Sequence, residues 1–386
     1  MEIIRSNKYR LYPNAKQKSL LFNLFGSTRF IYNFFLGKIQ ESHFGTSLNK
    51  KTELFVPKIP SEFDLSKYLT EVKQEHNFLY SVPNMFLQAE SKNLYSAFKG
   101  FFAKGGYPKF KSRKQNQSLN CYQGANAKFD SKYIYLPKAH GTQFDKSDFK
   151  IKYKQHKTNY SLPEKITGYT ISKDNLNQYW ISFTFKVDIS YSITGTGKQC
   201  GIDLGIKDLV ITSDGLKIPN DNLIKKSEKK LRTLNRQLSK KKKGSKNRNK
   251  ARIKVAKFHN KIKNQRSYRN HNISRELVNI YDFIGIETLK VKNMIKNRRL
   301  SKAISNVALF DLTSKIQYKM AEKQGHLIKI DTWFPSSKTC SNCGSVKAEL
   351  SLGTRTYECE HCNHIECRDI NAAKNILAEA KIIANI

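Results

Sequence analysis

Four cysteines near the end of the chain have the spacing of a metal site. Cys340, Cys343, Cys359 and Cys362 form two C-x-x-C pairs with 15 residues between them. Four thiolates so arranged hold one tetrahedral, structural Zn²⁺, and the knuckle they define is expected over residues 337–364. Seven residues past the last cysteine stands Asp369, in Arg368-Asp369-Ile370-Asn371-Ala372-Ala373, on the first turn of an expected closing helix, 369–384. Two further acids interrupt or end apolar strands: Asp203 in Gly201-Ile202-Asp203-Leu204-Gly205-Ile206, and Glu287 at the end of 281–287. Most carboxylates at strand ends are simply solvated, but a charge in an apolar strand costs several kcal/mol to bury without a partner. Three carboxylates at one point repel, and a multivalent cation makes such a cluster tolerable. Oxygen ligands suit Mg²⁺ or Mn²⁺ rather than zinc. Two such ions about 3.5–4 Å apart can activate a water and stabilise the leaving 3′ oxygen of a phosphodiester.

The remaining candidate ligands are weaker. Four cysteines already close a zinc site, so His361 and His364 read as surface histidines. Cys121, Cys200 and Cys367 read as unpaired small residues. The odd total of seven cysteines, with four at zinc spacing, fits a reducing cytosol.

The charge selects the class of partner. Lys and Arg number 70 against 31 Asp and Glu, a net of +39 over 386 residues. Such a chain repels itself unless it meets a polyanion, and nucleic acid is the first reading. An anionic membrane is second, but no apolar run of about 18 residues and no amphipathic anchor is found. Met1-Glu2-Ile3-Ile4-Arg5 has no signal-peptide core. A cytoplasmic protein, associated with the nucleoid of a prokaryotic host, is expected.

The elements that must position these groups follow from period and punctuation. Residues 2–12 alternate and stop at Pro13. Asn14 caps a helix over 15–25, and a second helix is expected over 28–41. Residues 43–62 read as loop. A long helix spans 84–101, with Met85, Leu87, Leu94, Tyr95 and Phe98 inward. Short strands follow at 133–136, 169–171 and 179–183, then a linker at 193–198. From Gly201 the pattern changes: a strand with Asp203, a hairpin over 209–215, basic helices over 221–280, the strand ending at Glu287, a basic loop over 290–299, a helix at about 304–324 and a strand over 326–332. That order is the order of an RNase H-like fold. There the strands bearing Asp203 and Glu287 lie side by side, and the last helix brings Asp369 to the same spot.

Between Lys225 and Asn270 there are 20 Lys and Arg and one Glu, a net of +19. A long basic helix is often just a solvated face, but lysines on neighbouring turns repel. The run therefore reads as a phosphate-contacting surface that positions rather than specifies. Lys240, Lys241, Lys242, Lys243, Lys246, Arg248, Lys250 and Arg252 are its candidates, with a steep salt dependence. Lys338, Arg355 and Arg368 flank the knuckle and the last acid as further contacts. In the N-terminal half, Tyr32, Asn33, Asn84, Gln88 and Lys92 have the chemistry to reach base edges, Asn and Gln suiting adenine and Lys suiting guanine.

Gly201-Ile-Asp-Leu-Gly-Ile, Gly285-Ile-Glu-Thr-Leu-Lys-Val-Lys-Asn-Met, Trp333-Phe-Pro-Ser-Ser-Lys-Thr-Cys-Ser-Asn-Cys-Gly and Arg368-Asp-Ile-Asn-Ala-Ala-Lys-Asn-Ile resemble motifs of the OrfB/TnpB family of insertion-sequence proteins. Members of that family resemble the ancestors of type V CRISPR nucleases. Tyr9-Arg-Leu-Tyr-Pro13 with Gln17, Arg29-Phe-Ile-Tyr-Asn33 and Tyr107-Pro-Lys-Phe-Lys111 extend the likeness nearly end to end. The resemblance implies a RuvC-type endonuclease that carries a guide RNA from its own transposon locus and cuts double-stranded target DNA beside a short flanking motif. It maps Asp203, Glu287 and Asp369 onto the family's catalytic acids. It also implies an α/β and α+β multidomain chain, monomer favoured. Residues 1–195 would be a wedge-like β-barrel with a helix-turn-helix-like recognition insertion at about 14–127, and residues 196–386 a RuvC-like nuclease domain with the inserted zinc knuckle. Many relatives carry Asp where this chain has Cys367; Asp369, followed by x-Asn-Ala-Ala, keeps the ligand position. A repressor without cleavage should lack one of the acids. A strand-transferring transposase is disfavoured by the knuckle and by the lack of a second catalytic module.

Overall fold

The structure, a computed structural model, describes residues 2–49, 54–103, 105–122, 124, 127–156, 158, 161–188, 195–297, 301–351 and 353–386. It is a mixed α/β chain of two compact units, Met1–Ile189 and Ser190–Ile386. Residues 193 and 194 of the expected linker, Lys104, and residues 298 and 299 of the basic loop lie outside the described residues.

In the first unit β1 (Glu2–Leu11) alternates, with Asn7, Tyr9 and Leu11 buried. Asn14 then caps α1 (Ala15–Gln40), its side chain exchanging hydrogen bonds with Gln17 in a capping box. α1 is one continuous helix where two were expected. Gly26-Ser27 looked like a break, yet the buried stripe runs through it from Leu20, Leu21 and Leu24 to Thr28, Ile31, Phe35 and Ile39. Tertiary burial outweighs the roughly 1 kcal/mol propensity cost of one glycine. The stretch expected as loop carries a hairpin, β2 (Thr46–Asn49) with β3 (Leu54–Pro57). Ser61 caps α2 (Glu62–Glu75), a helix not among the expected elements, with Leu65, Leu69 and Val72 on its buried stripe. α3 (Asn84–Phe102) buries Phe86, Leu87, Leu94 and Phe98, while Met85 and Tyr95 are half-buried.

The strands β4 (Gln117–Cys121), β5 (Lys128–Phe129), β6 (Tyr133–Tyr135), β7 (Lys150–Lys154), β8 (Gly168–Lys173) and β9 (Tyr179–Asp188) join β1 in an antiparallel sheet of order β4-β8-β9-β1-β7-β6-β5. Two expectations change here. β4 falls inside the stretch assigned to a helical insertion reaching about 127, because Leu119 and Cys121 alternate into the core beside β8. Among the described residues the end strands β4 and β5 do not pair with each other, so the hydrogen bonding is that of an open sheet rather than a closed barrel.

The second unit holds a five-stranded sheet of order β12-β11-β10-β13-β14. β10 (Gln199–Asp203), β11 (Asp208–Thr212) and β12 (Lys217–Pro219) are antiparallel neighbours; β13 (Phe283–Glu287) and β14 (His326–Ile330) run parallel to β10. Period two divides the faces. Cys200, Ile202, Ile284 and Ile286 pack with Ile273, Leu277, Leu312 and Ile316, from α5 (Lys246–Ile280) and α8 (Leu309–Lys323). The other face carries α9 (Arg368–Ala384), whose Ile376 and Ala380 meet Phe283 and Ile330.

The basic segment expected as helix over 221–280 is a hairpin of α4 (Leu223–Ser239) and α5, broken at Lys240–Ser245, where Gly244 takes φ +86°. The lysine quartet thus occupies a turn. Its connection to α8 runs through β13, the short α6 (Val291–Met294) and α7 (Ser301–Val307). The single helix expected at about 304–324 is interrupted at Ala308, which adopts φ +55°. Zinc-segment strands β15 (Thr356–Glu358) and β16 (Ile365–Cys367) pair antiparallel immediately before α9.

Candidate active site

Two glycines build the site. Gly201 of β10 and Gly285 of β13 are register partners. A Cβ on Gly201 would lie 1.9 Å from Ala373 O; one on Gly285 would lie 2.7 Å from Ala380 Cβ. The helix α9 therefore rests on bare backbone, with its own small residues turned to the sheet. Two positions on, on the same face, stand Asp203 and Glu287. One helical turn before Ala373 stands Asp369. Each G-x-acid pair thus couples a helix seat to a carboxylate, and α9 runs back over the seats with its N-terminus at the acids.

The electrostatics record the convergence. Burial, then the charges of Glu287 and Asp369, push the Asp203 carboxyl up to about 7 against the pull of Arg368. A carboxylate so destabilised is the environment that a divalent cation relieves. The residue types fit Mg²⁺ or Mn²⁺.

Sequence reasoning missed the residues that hold this arrangement. Ser336, buried, donates its hydroxyl to Glu287 Oε1. Asn375 Nδ2 donates to Ser336 O at 2.8 Å and to Thr339 O. Asn371 Nδ2 donates to Thr339 O at 2.7 Å, while its Oδ1 accepts from the Ser341 N–H. These two buried asparagines, at i and i+4 on an otherwise apolar helix face, lock the 336–341 segment onto α9. The segment sets both Glu287 and the first zinc cysteine. The available signal was a pair of amides where the helix stripe should have been apolar.

The four thiols lie within 4.8 Å of one another, with Cys340–Cys362 and Cys343–Cys359 sulfurs 3.6 Å apart. That spacing is far beyond a disulfide and close to the ~3.8 Å edge of a tetrahedron with Zn–S of about 2.3 Å. Asn342 and the His364 backbone N–H bring the Cys362 thiol down to about 6. Zinc fits these residues. His364 instead faces Glu366, and His361 is exposed. Cys367 lies outside the cluster, before α9, with Lys217 Nζ 3.2 Å from its sulfur. Burial opposes its thiolate, yet the Lys217 ammonium and the N–H groups of Ile370 and Asp369 lower its pKa. Cys121 and Cys200 are buried.

The expected nucleic-acid contacts divide. Lys240–Lys243, Lys246, Lys250 and Arg252 are exposed on the hairpin, and Arg252 also bonds Asn249. Arg248 is a latch instead: its guanidinium donates to Leu238 O and Lys241 O, closing the turn. Lys338 is turned to Ala348 O at 2.7 Å, and Arg368 to Ser351 O and Thr354 O; both tie the knuckle's own backbone. Arg355 is exposed. In the first unit Asn33 is consumed by the Lys111 backbone, donating to its O and accepting from its N–H. Tyr32 is buried under the Lys111 ammonium. Both therefore fasten Lys111. Asn84, Gln88 and Lys92 stay exposed at i, i+4 and i+8 on α3; Asn84 Oδ1 accepts from Lys73, and Lys92 lies over Tyr122.

Among the described residues no helix is long and apolar enough to cross a membrane. Family models match three stretches: a helix-turn-helix domain (HTH_OrfB_IS605) at 1–44, OrfB_IS605, described as "Probable transposase", at 184–298, and the Cas12f1-like TNB domain at 310–376. The chain is 35% identical over 382 residues to a Streptomyces pristinaespiralis protein named "Putative RNA-guided DNA endonuclease", covering 98% of this chain and 89% of that one. It is 26% identical to the Escherichia coli K12 protein named "Putative RNA-guided DNA endonuclease InsQ", covering 98% and 92%. Over 219 residues it is 26% identical to the "CRISPR-associated endodeoxyribonuclease Cas12f1" of Sulfoacidibacillus thermotolerans, covering 53% and 51%. The fold is mixed α/β with a four-cysteine cluster that could hold a metal. The chain belongs to the OrfB/TnpB family.

Proposed function

We propose that this protein is an RNA-guided DNA endonuclease with one hydrolytic site formed by Asp203, Glu287 and Asp369. The observation that carries the reading is that the charges of Glu287, from the adjacent parallel strand, and Asp369, from a helix seated on paired glycines, reach Asp203. The sheet order and the closing helix support an RNase H-like, RuvC-type second unit. The activity printed in the names of its relatives supports the guided part.

Asp203, Glu287 and Asp369 would hold Mg²⁺ or Mn²⁺, which when bound supplies an activated water and charge neutralisation at the phosphodiester. Ser336 fixes the Glu287 carboxylate. Arg368 lies close enough to lower the Asp203 pKa. Lys217 adds a second cation beside Asp369. The exposed lysines of the α4–α5 hairpin would grip phosphates of a guide–target duplex by charge and shape, leaving sequence to base pairing. Asn84, Gln88 and Lys92 are the remaining candidates for reading a flanking motif.

The test is to express the chain from its own locus and sequence the RNA that co-purifies. One discrete RNA with a constant scaffold and a variable end is expected. Heterogeneous cellular RNA would overturn the guided reading and leave a plain nuclease or a transposase.

A further inference from the structure

Trp333 is 82% exposed, an unusual position for the largest apolar side chain. Its backbone is pinned. The Trp333 N–H bonds Asp331 Oδ1 at 2.7 Å, and the Thr332 hydroxyl bonds Thr288 O, next to Glu287. Phe334 packs against the cluster of Phe283, Ile330 and Ile376. Ser336 holds Glu287 itself. Two residues, Phe334 and Pro335, separate Trp333 from Ser336, a span of at most about 11 Å. A rigid loop tied at both ends beside one acid thus presents an indole to solvent. The Lys290 ammonium lies 5.4 Å from the ring centroid, a cation that polarises the π face and stands ready for a phosphate.

We infer that Trp333, with Lys290, is a stacking platform for one unpaired nucleobase of the strand delivered to the acids. An aromatic face beside a cation is how proteins hold single strands irrespective of sequence; paired bases within a duplex offer no open face. The inference deepens the nuclease reading and rests on it for its purpose, but the platform's occupancy is measurable without cleavage.

The chain has two tryptophans. In an Asp203→Ala, Trp180→Phe chain, Trp333 is the sole indole emitter. Titrated with single-stranded oligothymidylate, its emission falls saturably; an equal length of blunt duplex leaves it nearly unchanged. In the otherwise native chain Trp333→Ala raises KM for a single-stranded substrate about tenfold, with kcat within a small factor, and Trp333→Phe recovers most of the loss. Emission indifferent to the single strand, or quenched equally by duplex, would overturn the platform, as would an unchanged KM in Trp333→Ala. Quenching in a chain whose native form cuts nothing would keep the platform and sink the nuclease reading. The Trp333 side chain is exposed, so loss of folding does not confound Trp333→Ala or Trp333→Phe, and the Trp180→Phe background is accepted only with native Tm.

Discussion

Replacing Gly201 by alanine adds one methyl group where α9 meets the sheet. That carbon would sit 1.9 Å from Ala373 O and 2.7 Å from Leu377 N, against 3.4 Å for an ordinary contact. Both neighbours are backbone, so α9 must retreat by about 1.5 Å or the unit must open. Overpacking costs 1–3 kcal/mol, and a clash with backbone belongs at the top of that range. About 3 kcal/mol in a unit of this size lowers Tm by about 10 °C. The retreat also carries Asp369 away from Asp203, and a misplacement of about 1 Å costs about 10²-fold in rate. Gly26→Ala is the control. Nothing lies within 4 Å of its added Cβ, in the middle of α1, so it should stabilise by about 0.5–1 kcal/mol and leave cleavage unchanged. Thermal unfolding of both variants, followed by metal-dependent cleavage of labelled DNA, reads both effects. A Gly201→Ala chain with native Tm and native cleavage would refute the seating of α9. Lost stability with full cleavage would show that the seat does not set the site.

Without divalent metal, the carboxyl of Asp203 at about 7 is raised above its unfolded value near 3.8. Its contribution is therefore whole at low pH and is lost as pH rises from about 4 through 7, by up to about 4 kcal/mol. Asp203→Asn should gain Tm over the native chain at pH 8 and not at pH 4, and Mg²⁺ should close that gap. Chelation of zinc, or Cys359→Ser, should free the 336–341 segment and cut activity with the metal; metal analysis should give one zinc per chain, kept in Cys367→Ser. Replacing Lys246 or Lys250 with glutamine should lower the salt slope of nucleic-acid binding by about 1 each. Arg248→Ala should instead increase amide exchange in the 240–245 turn.

The parts legible in the sequence were those with a short physical code. Thiol spacing gave the zinc cluster, and an acid in an apolar strand marked Asp203 and Glu287. Alternation gave β1, and short apolar runs gave most strands of the second unit. What escaped was set by tertiary contact. Gly26-Ser27 reads as a stop only until the apolar stripe on both sides is buried together. Ala308 breaks a helix because Val307 and Leu309 are both drawn into the core, which no propensity of alanine foretells. The 46–57 hairpin has polar residues and lacks the alternation that marks a half-buried strand. Asn33, Arg248, Lys338 and Arg368 have the residue types of nucleic-acid contacts; in the structure they bond carbonyls and N–H groups of this chain, which composition cannot reveal. Ser336, Asn371 and Asn375 hold the site through bonds to segments 30 to 49 residues away.

The most direct measurement is metal-dependent cleavage of a matched duplex by the guide-loaded protein, in native form and as Asp203→Ala, Glu287→Ala and Asp369→Ala. The three acids acting as one site require that each substitution reduce cutting to background while guide RNA and target DNA remain bound. A variant lacking any one of the three that still cuts at the native rate would contradict the site.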